Sequence, residues 1–248
     1  MERTGAGDPR RVVPLLWRAG ATPSRRGLTV DRIVEAGIAL AQEVGLEQLS
    51  MRRLAERLSV GAMSLYGHVP GRAELIDLMV DAAFAEVVYE ARAIDPADWR
   101  TSLEAVARCN WDLFARHPWL LAVDTTRPPL GPGTIGKYDA ELRALVGTGL
   151  DDVEIDQVLS LVLEHVRSTA RQALAGAERS PDDEWWTAAG PVLASLMDPA
   201  RYPIASRVGE SAGAAYDAPT DPHRAYAFGL STILDGVATL VAQRAAGH

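Results

Sequence analysis

Residues 50–72 read SMRRLAERLSVGAMSLYGHVPGR. Two short helical patterns in this stretch flank a tight turn. Ser50 is a favoured N-cap residue, and Leu54 and Leu58, one helical turn apart, indicate a buried stripe on the first helix. Gly61 lies in the turn, where it allows backbone angles that a β-branched residue resists. The pattern therefore predicts a helical hairpin with a sharp corner.

The second helix, predicted over residues 62–68, has an outer face suited to DNA. Leu65 is its one strongly apolar position, so the remaining small or hydrogen-bonding side chains face away from the core. The major groove admits one α-helix, which needs little bulk and several donors and acceptors. A helical hairpin inside an ordinary all-α protein would explain the apolar positions. It would not explain an outer face rich in arginine and polar side chains.

The run LSMRRLAERLSVGAMSLYGHV, at residues 49–69, resembles the DNA-binding domain of the TetR family of bacterial repressors. It is most similar to the branch named for the tetracycline repressor, in which the second helix ends Leu-Tyr-x-His-Val. The resemblance implies an all-α fold, with an N-terminal three-helix helix-turn-helix domain and a C-terminal helical domain for ligand binding and dimerisation. It also implies base and phosphate contacts at ten positions. These are Arg52, Arg53, Gly61, Ala62, Met63, Ser64, Tyr66, Gly67, His68 and Arg72.

The charge distribution favours a nucleic-acid partner at one end of the chain. The 248 residues carry a formal net charge of −8. Residues 1–72 hold 11 Arg and 7 acidic residues, whereas residues 73–248 hold 14 basic and 26 acidic residues. A basic head on an acidic body concentrates phosphate attraction at the head and discourages non-specific DNA contact elsewhere.

The chain divides into three parts. Residues 1–28 are rich in Gly, Pro and Arg without a sustained helical period, which predicts a flexible arm. Its arginines are either a solvated tail or an arm that follows the DNA backbone or enters the minor groove, with Arg25 and Arg26 nearest the folded part. Residues 29–72 form the helix-turn-helix domain, and residues 73–248 form the ligand-binding and dimerisation domain.

Helical periodicity continues through most of the third part. The predicted helices cover residues 72–92, 99–116, 135–146, 151–175, 182–197 and 222–245. The connection at residues 198–222 carries Pro, Gly and Ser, which predicts a mobile or loosely packed segment. The helices at 151–175 and 222–245 are expected to form a four-helix interface in a homodimer, as the resemblance also implies. Two heads about 34–36 Å apart would then read half-sites one helical turn apart.

A ligand pocket is expected between the helices at 72–92, 99–116, 135–146 and 151–175. Its predicted lining is apolar with a few polar groups, as a drug-sized organic ligand requires. The candidate residues are Asn110, Trp111, Phe114, Tyr138, Leu142, Val162, His165 and Val166. Asn110 has two interpretations: its amide either pairs with a backbone carbonyl inside the core or donates to a ligand.

Motifs for other functions are missing from the sequence. It has no Gly-rich nucleotide-binding motif, no paired-cysteine zinc spacing and no nucleophile-bearing motif, so no catalytic residue, metal site or cofactor is predicted. The metal-chelating histidine of the tetracycline repressor has no clear equivalent. The single cysteine, Cys109, cannot form an intrachain disulfide, which fits a reducing cytoplasm. No secretory signal and no membrane span are expected.

The sequence therefore predicts a cytoplasmic, homodimeric transcriptional repressor. It would bind double-stranded, palindromic operator DNA and be released by a small hydrophobic molecule, such as an antibiotic, a pathway intermediate or an efflux substrate. Two other classes stay open: an activator or ligand-independent DNA-binding regulator, and a helical enzyme acting on a small molecule.

Overall fold

The computed structural model describes residues 2–19, 27–90, 94–95, 97–177, 182–216, 218 and 220–246. This part of the chain forms eleven α-helices and one short parallel strand pair. The helices are α1 (Pro9–Leu16), α2 (Val30–Val44), α3 (Met51–Arg57), α4 (Ala62–Tyr66), α5 (Arg72–Glu90), α6 (Trp99–Arg116), α7 (Pro132–Leu142), α8 (Asp152–Ala177), α9 (Asp182–Leu196), α10 (Pro203–Tyr216) and α11 (Pro222–Ala246). The strands are β1 (Glu2–Arg3) and β2 (Val123–Asp124), and 3-10 turns occupy Leu46–Gln48, Pro118–Ala122 and Arg143–Leu145. The predicted all-α class is confirmed.

Helices α2 to α4 form a small head whose core is continuous with that of the body. The side chain of Ser50 accepts a hydrogen bond from the Arg53 amide, as its N-cap position predicts. Ile33, Leu54 and Leu65, one from each helix, are fully buried. The three helices therefore hold one another through a single apolar contact region.

The turn between α3 and α4 differs from the prediction. Gly61 has a φ of −69° and a ψ of 143°, an extended conformation open to any residue. Ser59 instead adopts the left-handed conformation, with a φ of 55°. The conformational reason given for Gly61 is therefore wrong. Helix α4 also ends at Tyr66, two residues earlier than predicted.

The N-terminal segment is folded over residues 2–19, so the predicted flexible arm is wrong for that part. Asp8 caps α1 by accepting from the Arg10 amide, and Val12 and Leu16, one turn apart, are buried. Together with Pro9 at the first helical position, these were local helix signals that the Gly, Pro and Arg content obscured. Arg25 and Arg26 lie outside the described residues.

The body is built around α5, α6, α7 and α8. Helix α7 begins directly against α5, because the Asp81 carboxylate accepts from the Gly133 amide at 3.2 Å and from the Thr134 amide at 2.8 Å. A Cβ at position 133 would overlap the Asp81 carbonyl oxygen, so this close approach needs glycine. Helix α8 packs on α6 and on α11.

The segment predicted to be mobile or loosely packed contains α10, which covers Pro203–Tyr216. None of its residues is buried. Helix α9 is similarly open, with Leu196 79% exposed and Trp185 61% exposed. The helical conformation was missed, since small residues and glycines masked its period, but loose packing on the rest of the chain is what the structure shows.

Within the described residues, α11 is the one helix that by length and composition could cross a membrane, with a mean hydropathy of 1.5. The sequence had predicted no membrane span. Helix α11 packs along α8, where Gly229 faces the His165 ring and Arg244 pairs with Glu154. Leu230, Leu234 and Val237 are the buried residues of α11, and 17% of its apolar window is buried within the chain, so packing on α8 accounts for only part of its hydropathy.

Candidate DNA-binding surface and ligand domain

The outer face of α4 is open to solvent. Met63 is 81% exposed and Tyr66 is 45% exposed, while Leu65 between them is fully buried. Ser64 is also exposed, and His68 is half-buried just beyond the helix. Leu65 therefore attaches this short helix to the core, and the side chains of Met63, Ser64 and Tyr66 are accessible to a binding partner.

A groove of about 650 Å³ runs beside this helix. Ser64 and His68 line it together with Arg32 from α2. Arg32 donates to the Gly27 carbonyl at 2.7 Å and is exposed, so it adds a cation next to the recognition helix. Arg32 was not among the predicted contacts, because its position in the first turn of α2 gives no information about its distance from α4.

Arg52 and Arg53 project from the first turn of α3. Arg52 lies 3.9 Å from the Glu56 carboxylate with 81% of its side chain exposed, and Arg53 donates to the Gln48 side chain at 2.8 Å. Exposed pairs of this kind contribute at most about 1 kcal/mol. Both arginines can therefore turn towards a phosphate at little energetic cost.

The structure places Arg72 differently from the other predicted contacts. Its guanidinium donates to the backbone carbonyls of Leu49 and Leu46, both at 2.8 Å, and lies 2.5 Å from the Glu2 carboxylate. All of these partners belong to the protein. A phosphate contact by Arg72 would require these bonds to break, so in this conformation the residue braces the α2–α3 connection.

Asn110 belongs to a buried polar cluster in the body. Its amide donates to the Val106 carbonyl at 2.9 Å and to the Glu141 carboxylate at 2.6 Å. Glu141 also pairs with Lys137 at 2.7 Å, and Lys137 lies 5.3 Å from the centroid of the Phe84 ring. The core interpretation of Asn110 therefore has the stronger geometric support, with a carboxylate as a second acceptor that was not foreseen.

Two predicted pocket residues gather instead against α11. The Trp111 ring lies 4.6 Å from the Tyr226 ring and 5.3 Å from the His223 ring. His165 stacks on Tyr226 and hydrogen bonds to its carbonyl at 3.0 Å. His165 therefore contributes to the α8–α11 contact.

The other predicted lining residues fall into two groups. Phe114, Val162 and Val166 are buried together where α6 meets α8. Tyr138 is 42% exposed and donates to Asp156 at 2.8 Å, a bond that raises the pKa of the phenol. Leu142 is half-buried.

The architecture defines a helix-turn-helix DNA-binding protein with a helical regulatory body. Residues 33–79 match the family described as bacterial regulatory proteins of the tetR family, and residues 94–241 match the tetracyclin repressor-like C-terminal domain. The chain belongs to the TetR family of bacterial transcriptional regulators. The resemblance seen in residues 49–69 is confirmed.

Individual relatives are similar over almost the whole chain. The HTH-type transcriptional repressor DrrR1 of Streptomyces coeruleorubidus is 40% identical, over 98% of this chain and 90% of its own length. The crystal structure of apo ActR from Streptomyces coelicolor is 28% identical with a TM-score of 0.72, and covers 92% of this chain and 99% of its own. The structure of ActR in complex with actinorhodin is 26% identical with a TM-score of 0.70, and covers 86% and 98%. Transcription regulation, repression, DNA binding and ligand binding therefore describe this chain's class.

Proposed function

We propose that the protein is a cytoplasmic homodimeric repressor that binds palindromic operator DNA and leaves it when a small hydrophobic molecule binds the body. The observation that carries this proposal is the exposed face of α4. Met63 and Tyr66 stand out from a short helix anchored by Leu65. Ser64, His68 and Arg32 line the groove beside it, and a helix with an open face of donors and acceptors suits the major groove.

The DNA contacts would come from the first turns of α3 and from α4. We assign base or phosphate contacts to nine of the predicted positions and add Arg32 from the groove wall. The nine are Arg52, Arg53, Gly61, Ala62, Met63, Ser64, Tyr66, Gly67 and His68. Arg25 and Arg26 remain proposed contacts to the DNA backbone or the minor groove. Arg72 supports this surface from inside the protein.

The dimer would form through α8 and α11. Leu161 on α8 is 53% exposed and Phe228 on α11 is 74% exposed, although both are large apolar side chains. Obligate dimer interfaces are more apolar than the remaining protein surface. A second copy related by a two-fold axis would bury both residues in a four-helix contact and place two heads on one operator.

The ligand would enter the body among α5, α6, α7 and α8, next to the buried group of Phe114, Val162 and Val166. Apolar walls of this kind suit an antibiotic, a pathway intermediate or an efflux substrate. The crystal structure of the similar protein ActR in complex with actinorhodin supports a small-molecule ligand for this body. Ligand binding would favour a state in which the two heads no longer match the half-site spacing, which is a population shift.

Fluorescence anisotropy with the DNA upstream of the protein's own gene tests this proposal. We expect sub-micromolar binding at low salt by a dimer, and release of the DNA when actinorhodin is added as the probe. DNA affinity that does not change with the probe would favour a ligand-independent regulator, and a footprint upstream of the promoter would favour an activator. Chemical turnover of the probe would favour an enzyme. A monomer without DNA affinity would contradict the proposal as a whole.

A further inference from the structure

The first residues of the chain are bonded to the body. Strand β1 pairs in parallel with β2, with Glu2 opposite Val123. The Thr4 amide donates to the Asp124 carbonyl at 3.0 Å, and its hydroxyl donates to the Arg127 carbonyl at 2.7 Å. Thr4 is fully buried, so breaking these bonds would leave polar groups without water.

The same residues are bonded to the head. The Glu2 carboxylate lies 2.5 Å from the Arg72 guanidinium. That guanidinium also donates to the carbonyls of Leu46 and Leu49, in the connection between α2 and α3. A shift of β1 would therefore pull on the arginine that holds the base of the recognition helix pair.

The body end of this chain of bonds begins beside the proposed ligand pocket. Arg167 on α8 donates to the carbonyls of Leu120 and Val123 and to the Thr125 hydroxyl. Its guanidinium carbon lies 5.8 Å from the centroid of the Phe114 ring. A ligand that displaces Phe114 would thus act on a side chain that fixes the position of β2.

The two residues directly after α1 form a second connection between the body and the head. The Trp17 indole donates to the Leu130 carbonyl at 2.8 Å, in the loop before α7. The neighbouring Arg18 guanidinium donates to Asp31 at 2.7 Å, in the first turn of α2. Two consecutive residues therefore contact the body and the head respectively.

We infer that residues 2–5 form a coupling strap, which transmits the ligand state of the body to the head through β2, Glu2 and Arg72. The inference rests on the proposed function, because it assumes that DNA and ligand binding influence each other. Glu2 and Thr4 act as positioning residues. Without the strap, we expect each site still to bind its own partner. The coupling free energy between the DNA site and the ligand site should decrease.

Hydrogen–deuterium exchange on the full chain without ligand provides the first test. Thr4→Val removes the side-chain bond at the body end and should speed amide exchange at residues 46–54 in the head by about threefold or more. Thr148→Val is the matched control, because the Thr148 hydroxyl also donates to a backbone carbonyl, that of Leu145 at 2.7 Å, far along the chain from the strap. The control variant should leave amide exchange at residues 46–54 unchanged.

Glu2→Gln supplies a milder variant in case Thr4→Val does not fold. It keeps the length of the side chain and the β1–β2 backbone bonds but removes the charge that faces Arg72. Faster exchange at residues 46–54 with unchanged exchange at 123–127 is the expected result. Unchanged head exchange in every folded variant would overturn the strap, whatever happens near residues 2–5.

The second test compares DNA affinity with and without actinorhodin as the probe. The ratio of the two dissociation constants should fall about tenfold or more in Thr4→Val, while affinity for DNA alone stays within about threefold. An unchanged ratio would overturn the inference. If actinorhodin releases neither the parent protein nor the variants, the proposed ligand class is wrong, and the exchange experiment still decides the strap.

Discussion

An exposed arginine of the head and a buried ion pair of the body use charge in opposite ways. Arg52 on the head keeps 81% of its side chain exposed, against a carboxylate 3.9 Å away. In the body, Lys137 and Glu141 are 7% and 1% exposed and lie 2.7 Å apart. An exposed, weakly paired charge remains available to DNA, whereas the charges of a buried pair interact only with the protein itself.

The arginines also differ in whether they face solvent or bond to the protein. Composition treats all of them alike, yet Arg52 faces solvent, Arg72 braces the head and Arg167 fixes β2. Burial lowers the pKa of Arg167 from its usual value, which marks how far this guanidinium has been removed from water. Residue type alone therefore says little about which cation meets a phosphate.

Loss of the buried carboxylate should produce the largest effect. Glu141→Ala leaves the Lys137 ammonium and the Asn110 amide without their shared acceptor, and the free energy of unfolding should fall by about 3–5 kcal/mol. Urea denaturation measures it. Asp139→Ala, which breaks an exposed pair with Arg143, is the control and should cost less than about 1 kcal/mol. Similar losses in the two variants would erase the contrast between buried and exposed charge pairs.

Removing the aromatic side chain from the recognition helix should affect DNA binding and leave folding intact. Tyr66→Ala is expected to weaken operator binding by about 1–3 kcal/mol, as the loss of a specific groove contact does. Tyr202→Ala is matched in exposure, at 46% against 45%, but lies outside the head. Anisotropy titration of both variants measures the difference, and an equal loss of affinity would place the DNA surface elsewhere.

A pH titration probes the residue at the junction of the two regions. Burial raises the pKa of Asp77 to about 6, despite a hydrogen bond from the Gly5 amide. An unfolded carboxyl titrates near pH ~4, so the folded state holds the proton more tightly between about pH 4 and 6. The free energy of unfolding should therefore decrease as the pH rises through this window.

Asp77→Asn should lack that decrease, because the amide oxygen still accepts from Gly5 without carrying a charge. At pH 7 the free energy of unfolding of the variant should exceed that of the parent by up to about 1–2 kcal/mol. Near pH 4 this difference should disappear. Urea denaturation at the two pH values gives the comparison. If the free energies of unfolding of parent and variant change with pH in the same way, ionisation of the Asp77 carboxyl does not destabilise the folded state.

The smallest expected effect belongs to a single exposed cation on the head. Arg52→Ala should weaken DNA binding modestly and similarly for all sequences, and should reduce the slope of log affinity against log salt by about 1. Arg143→Ala removes an arginine that is 67% exposed on the body and should leave the slope unchanged. A slope change in the Arg143 variant would mean that the acidic body also touches DNA.

The helix-turn-helix could be predicted because its signals are local. Ser50 caps α3 three residues from its partner amide, Leu54 and Leu58 repeat with the helical period, and Leu65 is the one strongly apolar position of the next helix. The family resemblance rested on the same short run. Outside it, prediction failed where glycine and proline content outweighed a short amphipathic pattern, as in α1 and α10.

What the sequence alone determined is the class of the fold, the recognition helix and the charge asymmetry, since capping, periodicity and net charge depend on near neighbours or on simple counts. The tertiary structure alone decided the roles of Thr4, Arg72 and Asn110. Their partners lie 123, 23 and 31 residues away for the Arg127, Leu49 and Glu141 contacts. Side-chain hydrogen bonds are specified by position in space, and no local pattern encodes which distant carbonyl or carboxylate will arrive there.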